Sequence, residues 1–462
     1  MSALSAELLS EIARRYGTPA YVYDASVVRR QLSTLRSFDR VRYAQKACPN
    51  THVLRLLRNE GAFVDCVSVG ELERALQAGF STDPERHEVV FTADILTREA
   101  LERVVETGVP VNAGSADMLT QLGERRRRHP VWLRVNPGFG HGHSKKTNTG
   151  GESSKHGIWH ETLSDALARI QAYDLDLVGL HMHIGSGADV EHLARVCDAM
   201  VEQVEWLKAV GGDLRAISAG GGLPVPYRKG EPELDPAAHF RLWNDARRRI
   251  EASLGHPVTL EIEPGRYLVA AAGVLLAEVR ALKDVGANHF TLVDAGFNDL
   301  MRPAMYGAYH GISVIPRSGS LSERRLRSSV VAGPLCESGD VFTQDGSGNV
   351  LPREFPEARV GDLLVFSDAG AYGASMSSNY NSRPLAAEVL VDGSEVRLIR
   401  RRQSMDELLA LEAISSPTDQ LVTAEFEAAS TLTSALGSSP PPWARMNFKA
   451  LPSGFTVASS PL

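Results

Sequence analysis

Short apolar runs alternate with helical patterns along roughly the first 270 residues of the chain. The runs are rich in β-branched and aromatic residues, whereas the segments between them place apolar residues at the three- and four-residue spacing of a helix. Strands that alternate with helices form βαβ units and a parallel sheet. We therefore predict eight parallel strands, which are Val41–Lys46, Phe63–Val67, Glu88–Thr92, Val109–Ala113, Val131–Val135, Leu177–Ile184, Leu214–Ala219 and Val258–Glu263.

The helical segments between these strands include Glu71–Ala78, Arg98–Glu106, Ala116–Arg127 and Val190–Val210. Eight βα units over about 225 residues match the size of a (β/α)8 barrel of the TIM type. A doubly wound open sheet is the alternative. Polar and glycine-rich residues collect at the predicted carboxyl ends of the strands, where the active sites of such barrels lie. This distribution favours the barrel.

The two ends of the chain have other patterns. Ala6–Arg15 has the spacing of a short amphipathic helix that ends before Gly17, and a short strand follows. After Ala270 strand-like runs predominate, Asp392-Gly393 indicates a hairpin, and Met405–Glu412 should form a closing helix. We predict an α/β plus all-β fold with four parts: an N-terminal segment (1–24) that packs with the β domain, the (β/α)8 barrel (25–270), an antiparallel β-sandwich or β-barrel domain (271–412), and a low-complexity, disordered tail (413–462).

Composition limits the class of protein and its surroundings. The chain has 462 residues, of which 43% are hydrophobic and 23% charged, as is typical of a soluble globular enzyme. The net charge of -7 disfavours a nucleic-acid partner and does not indicate a membrane surface. No apolar run approaches a membrane span in length, and the N-terminus lacks the apolar core of a secretory signal. The scattered cysteines indicate free thiols in a reducing cytoplasm, and they are Cys48, Cys66, Cys197 and Cys336.

One lysine stands at the predicted carboxyl end of the first barrel strand. Lys46 follows an apolar, β-branched run that should be buried. Burial disfavours an ammonium and lowers its pKa, which suits a lysine that forms a Schiff base with a carbonyl cofactor. The alternative is a lysine that simply reaches for solvent at the end of a strand.

Two glycine-containing loops are predicted to follow the seventh and eighth strands. Gly220-Gly221-Gly222 offers bare backbone N–H groups to an anion, and Gly265-Arg266 adds a second loop and a cation. A glycine triplet alone is usually a tight turn. Because barrel enzymes often bind phosphate at the loops after these two strands, we interpret the pair of loops as a phosphate site.

A carboxylate, Glu263, ends the eighth strand beside this phosphate site. In that position it could be a general base, a metal ligand or the partner of a ring nitrogen. Beside a Schiff-base lysine the third role fits best, because a pyridoxal ring needs an acidic partner that keeps its nitrogen protonated.

His181 and His183 lie two residues apart on the sixth strand, so their side chains should point the same way. They suggest a metal site, but no further cluster with ligand spacing accompanies them. We favour a histidine that packs flat on an aromatic cofactor, with the hydroxyl of Ser186 as a donor to phosphate. Cys336 lies among turn residues and acids, which is a poor core environment and indicates a working thiol rather than a buried apolar residue.

Together these stretches resemble the diaminopimelate decarboxylases, which belong to the alanine-racemase-like, fold-type III enzymes that use pyridoxal phosphate. The resemblance covers about residues 1–412, and the tail beyond them has no counterpart. His156 stands where many members carry a phenylalanine, which would alter loop packing but not the chemistry. The matching stretches are Tyr43–Ala47, Asp65–Glu71, Asn136–Gly138, Thr149–Gly151, Ser154–Gly157, His181–Gly187, Gly220–Leu223, Glu263–Tyr267, Asp294–Tyr306, Gly333–Asp340 and Ala369–Pro384.

The resemblance implies roles for individual residues. Pyridoxal 5′-phosphate would be held by Lys46 in a Schiff base, with His183 stacked on its ring and Glu263 paired with the ring nitrogen. Cys336 would be the proton donor, supplied by the partner subunit of a homodimer. The residues implied around the cofactor are Asp65, Arg134, Ser186, Gly220, Gly221, Gly222, Pro264, Gly265, Arg266 and Tyr372. Those implied around the substrate are Arg266, Arg302, Tyr306, Glu337 and Tyr372.

The implied reaction is decarboxylation of meso-2,6-diaminopimelate at its D centre, which yields L-lysine and CO2 in the last step of lysine biosynthesis. The distal carboxylate and ammonium of this substrate suit a planar arginine such as Arg302 and a carboxylate such as Glu337. Ornithine, arginine and lysine are alternative substrates, but they lack the distal carboxylate and would leave Arg302 without a partner. A protein that only binds a partner would be expected to lose Lys46 or Cys336. Against a racemase, the third alternative, Glu263 favours a fully delocalised carbanion.

Overall fold

The computed structural model describes residues 4–140, 149–185 and 190–412. The chain begins with helix α1 (Ala6–Tyr16) and strand β1 (Ala20–Asp24). The hydroxyl of Ser5 accepts a hydrogen bond from the amide of Leu8 at the start of α1, and Gly17 ends the helix with a φ of 73°. Both elements were predicted from the sequence.

A closed parallel barrel follows, as predicted. Within the described residues eight strands pair around it in the order β2-β3-β4-β5-β6-β8-β9-β10. Because β10 also pairs with β2, the sheet closes on itself, which excludes the doubly wound open sheet. The short β7 pairs only with β6, among the described strands. The strands are β2 (Arg40–Ala44), β3 (Phe63–Cys66), β4 (Val89–Ala93), β5 (Val111–Ala113), β6 (Pro130–Asn136), β7 (Ile158–Trp159), β8 (Asp176–Met182), β9 (Ala216–Ser218) and β10 (Thr259–Ile262).

Helices connect these strands, and polar caps begin several of them. The helices are α2 (Ala25–Ser33), α3 (Thr51–Asn59), α4 (Val69–Ala78), α5 (Arg98–Thr107), α6 (Ala116–Gly123), α7 (Leu163–Tyr173), α8 (Val190–Ala209), α9 (Pro236–Leu254) and α10 (Arg266–Val269). Side-chain oxygens accept hydrogen bonds from first-turn amides at Asp24, Asn50, Ser68, Thr97 and Asp235. The predicted extension of α6 to Arg127 is wrong, because the chain turns after Gly123 and Arg128 adopts a φ of 55° before β6.

The second half of the chain forms a mostly β region. Its elements are β11 (Gly273–Val285), β12 (Asn288–Val293), α11 (Arg302–Tyr306), β13 (Ile312–Ile315), β14 (Leu326–Ala332), β15 (Arg353–Pro356), β16 (Leu363–Phe366), β17 (Ala387–Asp392) and β18 (Glu395–Arg400). They pair in the order β15-β14-β12-β11-β1-β17-β18, and β16 joins β13 to β11. The predicted hairpin joins β17 to β18, with Gly393 at a φ of 61°.

This second sheet is mixed, whereas the sequence predicted an antiparallel one. The pairs β12–β14 and β1–β17 are parallel. The other strand pairs of this sheet within the described residues are antiparallel. The parallel pair β1–β17 arises because the N-terminal strand inserts between β11 and β17. From α1, Leu9 and Ile12 pack against Val22, Leu276 and Val389 of this sheet.

A hydrophobic core runs through both the barrel and the second sheet, so residues 4–404 form one compact unit. The chain from Met405 is a separate unit, and its described part contains helix α12 (Met405–Ala410). The predicted disordered tail, residues 413–462, lies outside the described residues. Among the described helices, none is long and apolar enough to cross a membrane.

Candidate active site

A cavity of about 1370 Å³ lies at the carboxyl ends of the barrel strands. Gly220 and Pro264 do not line the cavity themselves, but each is adjacent in the chain to a residue that does. Cys336 and Glu337 do not line it. Ser186 is not among the described residues. Most of the predicted site residues line this cavity, and they are Lys46, Asp65, Arg134, His183, Gly221, Gly222, Glu263, Gly265, Arg266, Arg302, Tyr306 and Tyr372.

Lys46 is positioned by a short 3-10 turn rather than by the strand itself. Strand β2 ends at Ala44, and the turn Gln45–Ala47 follows. Gln45 is buried and donates from Nε2 to the carbonyl of Glu71 at 3.0 Å, which anchors the turn. The side chain of Lys46 is exposed in the cavity wall. The prediction of a buried ammonium was therefore wrong, because the turn rotates the lysine away from the barrel core.

Glu263 follows β10, and both of its carboxylate oxygens are hydrogen-bonded. Its Oε2 accepts a hydrogen bond from Nε2 of His181 at 2.8 Å, and its Oε1 accepts one from the hydroxyl of Ser218 at 3.0 Å. Burial alone would raise the pKa of Glu263, but the charge and hydrogen bond of His181 and the bond from Ser218 lower that pKa to about 2. The carboxylate is therefore ionised at neutral pH and held at both oxygens.

Asp65 and Arg134 are two further charged groups buried in the cavity wall. Burial, followed by the negative charge of Glu263, raises the pKa of Asp65 well above its ordinary value. Its Oδ1 has no hydrogen-bond partner among the described residues. Burial lowers the pKa of Arg134, although the nearby carboxylates oppose that shift. The unsatisfied oxygen of Asp65 can therefore serve a bound molecule.

His183 presents a neutral ring to the cavity. Burial lowers its pKa well below the ordinary histidine value, and the positive charges of Arg134 and Lys46 lower it further. Its carbonyl oxygen accepts a hydrogen bond from the hydroxyl of Thr149 at 3.0 Å. His181, two residues earlier, also lines the cavity, as the spacing predicted. Nε2 of His181 is committed to Glu263, whereas its Nδ1 has no hydrogen-bond partner among the described residues.

The glycine loop after β9 approaches neighbouring backbone too closely for any side chain. A Cβ atom at Gly221 would lie 2.4 Å from the carbonyl oxygen of Glu263. One at Gly222, whose φ is 89°, would lie 2.1 Å from the carbonyl oxygen of Gly185. Gly220 has a φ of 60° and would clash with the Met182 carbonyl at 2.5 Å. The loop therefore requires glycine and leaves bare backbone at the cavity wall.

Two arginines of the cavity wall, Arg266 and Arg302, both contact Tyr227. Arg266 donates from Nη1 to the hydroxyl of Tyr227 at 2.9 Å and lies 5.2 Å from the ring centroid of Tyr372. The guanidinium of Arg302 lies 4.7 Å from the ring centroid of Tyr227. Arg302 is buried, and burial lowers its pKa. Tyr306, at the end of α11, also lines the cavity.

Cys336 and Glu337 are exposed on the β half of the molecule. They lie in the loop that follows β14, where the amide of Cys336 donates to Oδ1 of Asn381 at 2.9 Å. Asn381 itself has a φ of 52°. The other three cysteines are buried, so Cys336 is the exposed thiol of the described residues.

Sequence reasoning missed several residues that support the site. Ser218 contacts Glu263, Tyr227 contacts Arg266, and His310 contacts Arg302. None of the three belongs to a motif identified in the sequence. His156, which the sequence distinguished only because many relatives carry a phenylalanine there, contacts Asp94, with Nδ1 2.5 Å from Oδ2. The one available signal was position, because Ser218 ends the seventh strand and Tyr227 closely follows its glycine loop.

Comparisons with known proteins identify the relatives of this chain. Residues 24–270 match the family described as pyridoxal-dependent decarboxylase, pyridoxal binding domain. The diaminopimelate decarboxylase of Streptomyces coelicolor is 61% identical over 90% of this chain and 94% of its own length. That of Escherichia coli K12 is 60% identical over 89% of this chain and 97% of its own.

Solved structures of diaminopimelate decarboxylases are also similar to this chain. A crystal structure of diaminopimelate decarboxylase covers 90% of this chain and 98% of its own, with a TM-score of 0.87 and 59% identity. The Helicobacter pylori diaminopimelate decarboxylase complexed with L-lysine is 30% identical, with a TM-score of 0.77 over 87% of this chain and 99% of its own.

The barrel, its cavity lysine and the matched domain define a pyridoxal-phosphate-dependent decarboxylase, a carbon–carbon lyase. Pyridoxal 5′-phosphate is its cofactor. The identities to diaminopimelate decarboxylases are high and extend through the second sheet. The chain belongs to the diaminopimelate decarboxylase family.

The residues of the cavity fit this cofactor. A lysine amine is exposed to the cavity for the aldehyde, and an ionised Glu263 is available to a pyridinium nitrogen. The bare backbone of the glycine loop suits a phosphate, and the unsatisfied oxygen of Asp65 is free to accept a hydrogen bond.

Proposed function

We propose that this chain decarboxylates meso-2,6-diaminopimelate at its D centre and releases L-lysine and CO2, as the last step of lysine biosynthesis in the cytoplasm. The observation that carries the proposal is Arg302, a buried cation in the wall of the cavity that also contains Lys46. Across residues 4–140, 149–185 and 190–412, no carboxylate forms a close ion pair with Arg302, although its positive charge acts on the half-buried carboxyl of Asp368. A buried guanidinium without a counter-ion is costly, and a distal carboxylate of the substrate would satisfy it.

Other basic amino acids fit this cavity less well. Ornithine, arginine and lysine carry no carboxylate at their distal end, so each would leave Arg302 buried and unpaired. The names of the relatives favour diaminopimelate as well. A racemase is disfavoured because ionised Glu263 supports a fully delocalised carbanion, which decarboxylation requires.

The cofactor supplies the electron sink: when bound, pyridoxal phosphate accepts the electron pair left behind by CO2. We assign the chain's residues around that sink. Lys46 provides the amine that anchors the cofactor, and Glu263 keeps a fixed negative charge at the ring nitrogen. The neutral ring of His183 supplies a flat surface for stacking. Residues assigned to the remainder of the cofactor are Asp65, Arg134, Ser186, Gly220, Gly221, Gly222, Pro264, Gly265, Arg266 and Tyr372.

For the substrate, we assign Arg302 to the distal carboxylate in a bidentate contact. Arg266, Tyr306 and Tyr372 line the same cavity and complete the cationic and hydroxylic wall around it. Glu337 is assigned to the distal ammonium. Because Glu337 is exposed and lies outside the cavity of its own chain, we expect it to reach a substrate held by another copy.

The thiol of Cys336 is assigned as the proton donor to the carbon that has lost CO2. It too lies outside the cavity formed by its own chain. We therefore propose a homodimer in which the loop after β14 of one copy completes the cavity of the other. Two-fold dimers are the commonest oligomers and place such a loop at two equivalent sites.

A substrate panel tests the proposed function. The protein is incubated with pyridoxal phosphate and, separately, with meso-diaminopimelate, lysine, ornithine or arginine, and CO2 release is measured. We expect CO2 from meso-diaminopimelate alone. Arg302→Ala should lower kcat/KM at least about tenfold by removal of a charge-assisted contact. The matched control is Arg280→Ala, since Arg280 is exposed on the second sheet. Comparable CO2 release from a substrate without the distal carboxylate would overturn the proposal.

A further inference from the structure

His310 is a buried side chain that no step above uses. It lies just after α11, beyond Gly307, and is 2% exposed. It does not line the cavity. Its ring is held from both sides: Nδ1 lies 2.9 Å from the carbonyl oxygen of Ser367, and Nε2 lies 2.9 Å from Nη1 of Arg302.

These two neighbours select one form of the ring. A carbonyl oxygen can only accept, so Nδ1 carries the hydrogen that is donated to Ser367. A guanidinium can only donate, so Nε2 must offer its lone pair to Arg302. A protonated His310 would place one N–H against another. The geometry is therefore satisfied only by the neutral Nδ1–H tautomer.

The surrounding charges favour the same form. Burial lowers the pKa of His310 to about 3, and the positive charge of Arg302 is the next cause. Arg353 donates to the His310 carbonyl at 2.6 Å, and Arg266 adds a third cation to the surroundings. Two further titratable groups lie beside it. The ring of Tyr227 packs edge-on against His310 with centroids 5.6 Å apart, and Asp368 follows Ser367 in the chain and feels the positive charge of Arg302.

Arg302 is thereby fixed in two directions. One Nη1 hydrogen bond goes to His310, and the face of the guanidinium packs on the ring of Tyr227. A guanidinium has five N–H donors, so donors remain beyond the contacts with His310 and Tyr227. We propose that His310 is a positioning residue, which orients Arg302 and thereby sets the affinity of the site for the distal carboxylate of the substrate. The proposal rests on the function proposed above and deepens it.

Three substitutions at position 310 separate this role from simple packing. In His310→Gln the side-chain amide reaches the place of Nε2, so its oxygen can still accept from Arg302. In His310→Asn the amide reaches only the place of Nδ1 and keeps the contact with Ser367 alone. His310→Phe keeps a ring but loses both contacts. If Arg302 is oriented by the acceptor at Nε2, the glutamine variant alone should retain affinity.

The probes are L-lysine and cadaverine, which differ by one carboxylate. L-lysine has the carboxylate expected to reach Arg302, whereas cadaverine does not. For the asparagine and phenylalanine variants, we expect the dissociation constant of L-lysine to rise roughly tenfold to a hundredfold, as for a lost hydrogen bond to a charged group, and that of cadaverine to stay within about twofold. KM for meso-diaminopimelate should rise with little change in kcat. Equal losses for Gln and Asn, or for both probes, would overturn the proposal.

The tautomer of His310 provides a test that does not depend on turnover or on the folding of the asparagine and phenylalanine variants. Nitrogen NMR of the wild-type holoenzyme, assigned by comparison with His310→Gln, should show a neutral Nδ1–H ring that does not titrate between about pH 5 and 9. A resonance that titrates near the ordinary histidine pKa, or the opposite tautomer, would refute the positioning role. Failure of the substrate panel alone would refute the proposed function and leave this result standing.

Discussion

Among the described residues that line the cavity, Lys46 is the one lysine. We predict that Lys46→Ala abolishes both the visible absorbance of the lysine-linked cofactor and turnover, because no other amine there can form the Schiff base. Lys283→Ala, on the second sheet, is the matched control and should retain both. Absorbance spectra and CO2 assays measure the outcome. A Lys46→Ala protein with its absorbance band and activity intact would contradict the assignment.

Glu263 acts through its charge, which distinguishes it from its neighbours. Glu263→Gln should still bind the cofactor but lose most of kcat, by about a hundredfold or more, because an amide cannot keep the ring nitrogen protonated. Ser218→Ala is the control, since it removes one hydrogen bond to Glu263 and leaves the charge. Its kcat should fall far less. Steady-state kinetics with saturating cofactor give the comparison, and a near-wild-type kcat for Glu263→Gln would assign the carboxylate another role.

For individual residues, the sequence predicted the site residues that stand at strand ends. It did not predict those whose role depends on contacts made by loops. Lys46 and Glu263 were found because a barrel brings strand ends to one rim. Tyr227 was missed because its partner Arg266 lies 39 residues away in the chain. His310 lies only 8 residues from Arg302, but their contact spans the turn after α11 and follows no helix or strand periodicity. The exposure of Lys46 was misjudged because a periodicity pattern does not show where a strand gives way to a turn.

The glycine loop after β9 allows a prediction for a whole element. Gly222→Ala should weaken binding of pyridoxal phosphate by tenfold or more (~1.4 kcal/mol), because a Cβ 2.1 Å from the Gly185 carbonyl forces the loop to move. Gly255→Ala is a matched control: its φ is 87°, close to the 89° of Gly222, but its Cβ would meet nothing within 4 Å.

The control should therefore show only the strain of a left-handed residue, about 1–2 kcal/mol of stability, with cofactor affinity unchanged. Equilibrium dialysis of the cofactor and thermal unfolding separate the two effects. If both variants lose cofactor affinity equally, backbone strain rather than crowding at the loop is responsible.

Elements were easier to predict than their pairing. All eight barrel strands were located because their apolar runs are short, bounded and repeated, and the barrel then follows from parallel βα units. The second sheet was predicted as antiparallel, but β1 inserts beside β17 from the other end of the chain. Such pairing depends on long-range packing of α1 and β1, which local patterns do not contain.

For the whole molecule, the position of Cys336 outside the cavity leads to a prediction about subunits. Lys46→Ala and Cys336→Ala should each be inactive as homodimers, yet a mixed dimer has one site with both lesions and one with neither. After random subunit exchange half the dimers are mixed, so activity should recover to roughly a quarter of wild type. The Cys336→Ala protein must first be shown to be severely impaired.

The control is each mutant put through the same exchange alone, which should remain inactive. Exchange itself is verified by mass spectrometry of differently labelled subunits. If verified exchange restores no activity, Cys336 and Lys46 serve the same site from one chain, and the shared-site proposal is wrong.

The most direct test of the central claim is the amount and chirality of the lysine formed from meso-diaminopimelate. Loss of the carboxylate at the D centre leaves L-lysine, whereas loss at the L centre would leave D-lysine. We predict L-lysine and CO2 in equal amounts from the purified protein with pyridoxal phosphate, measured by chiral chromatography and CO2 capture. D-lysine, CO2 without lysine, or isomerised diaminopimelate with no CO2 would contradict the proposed reaction.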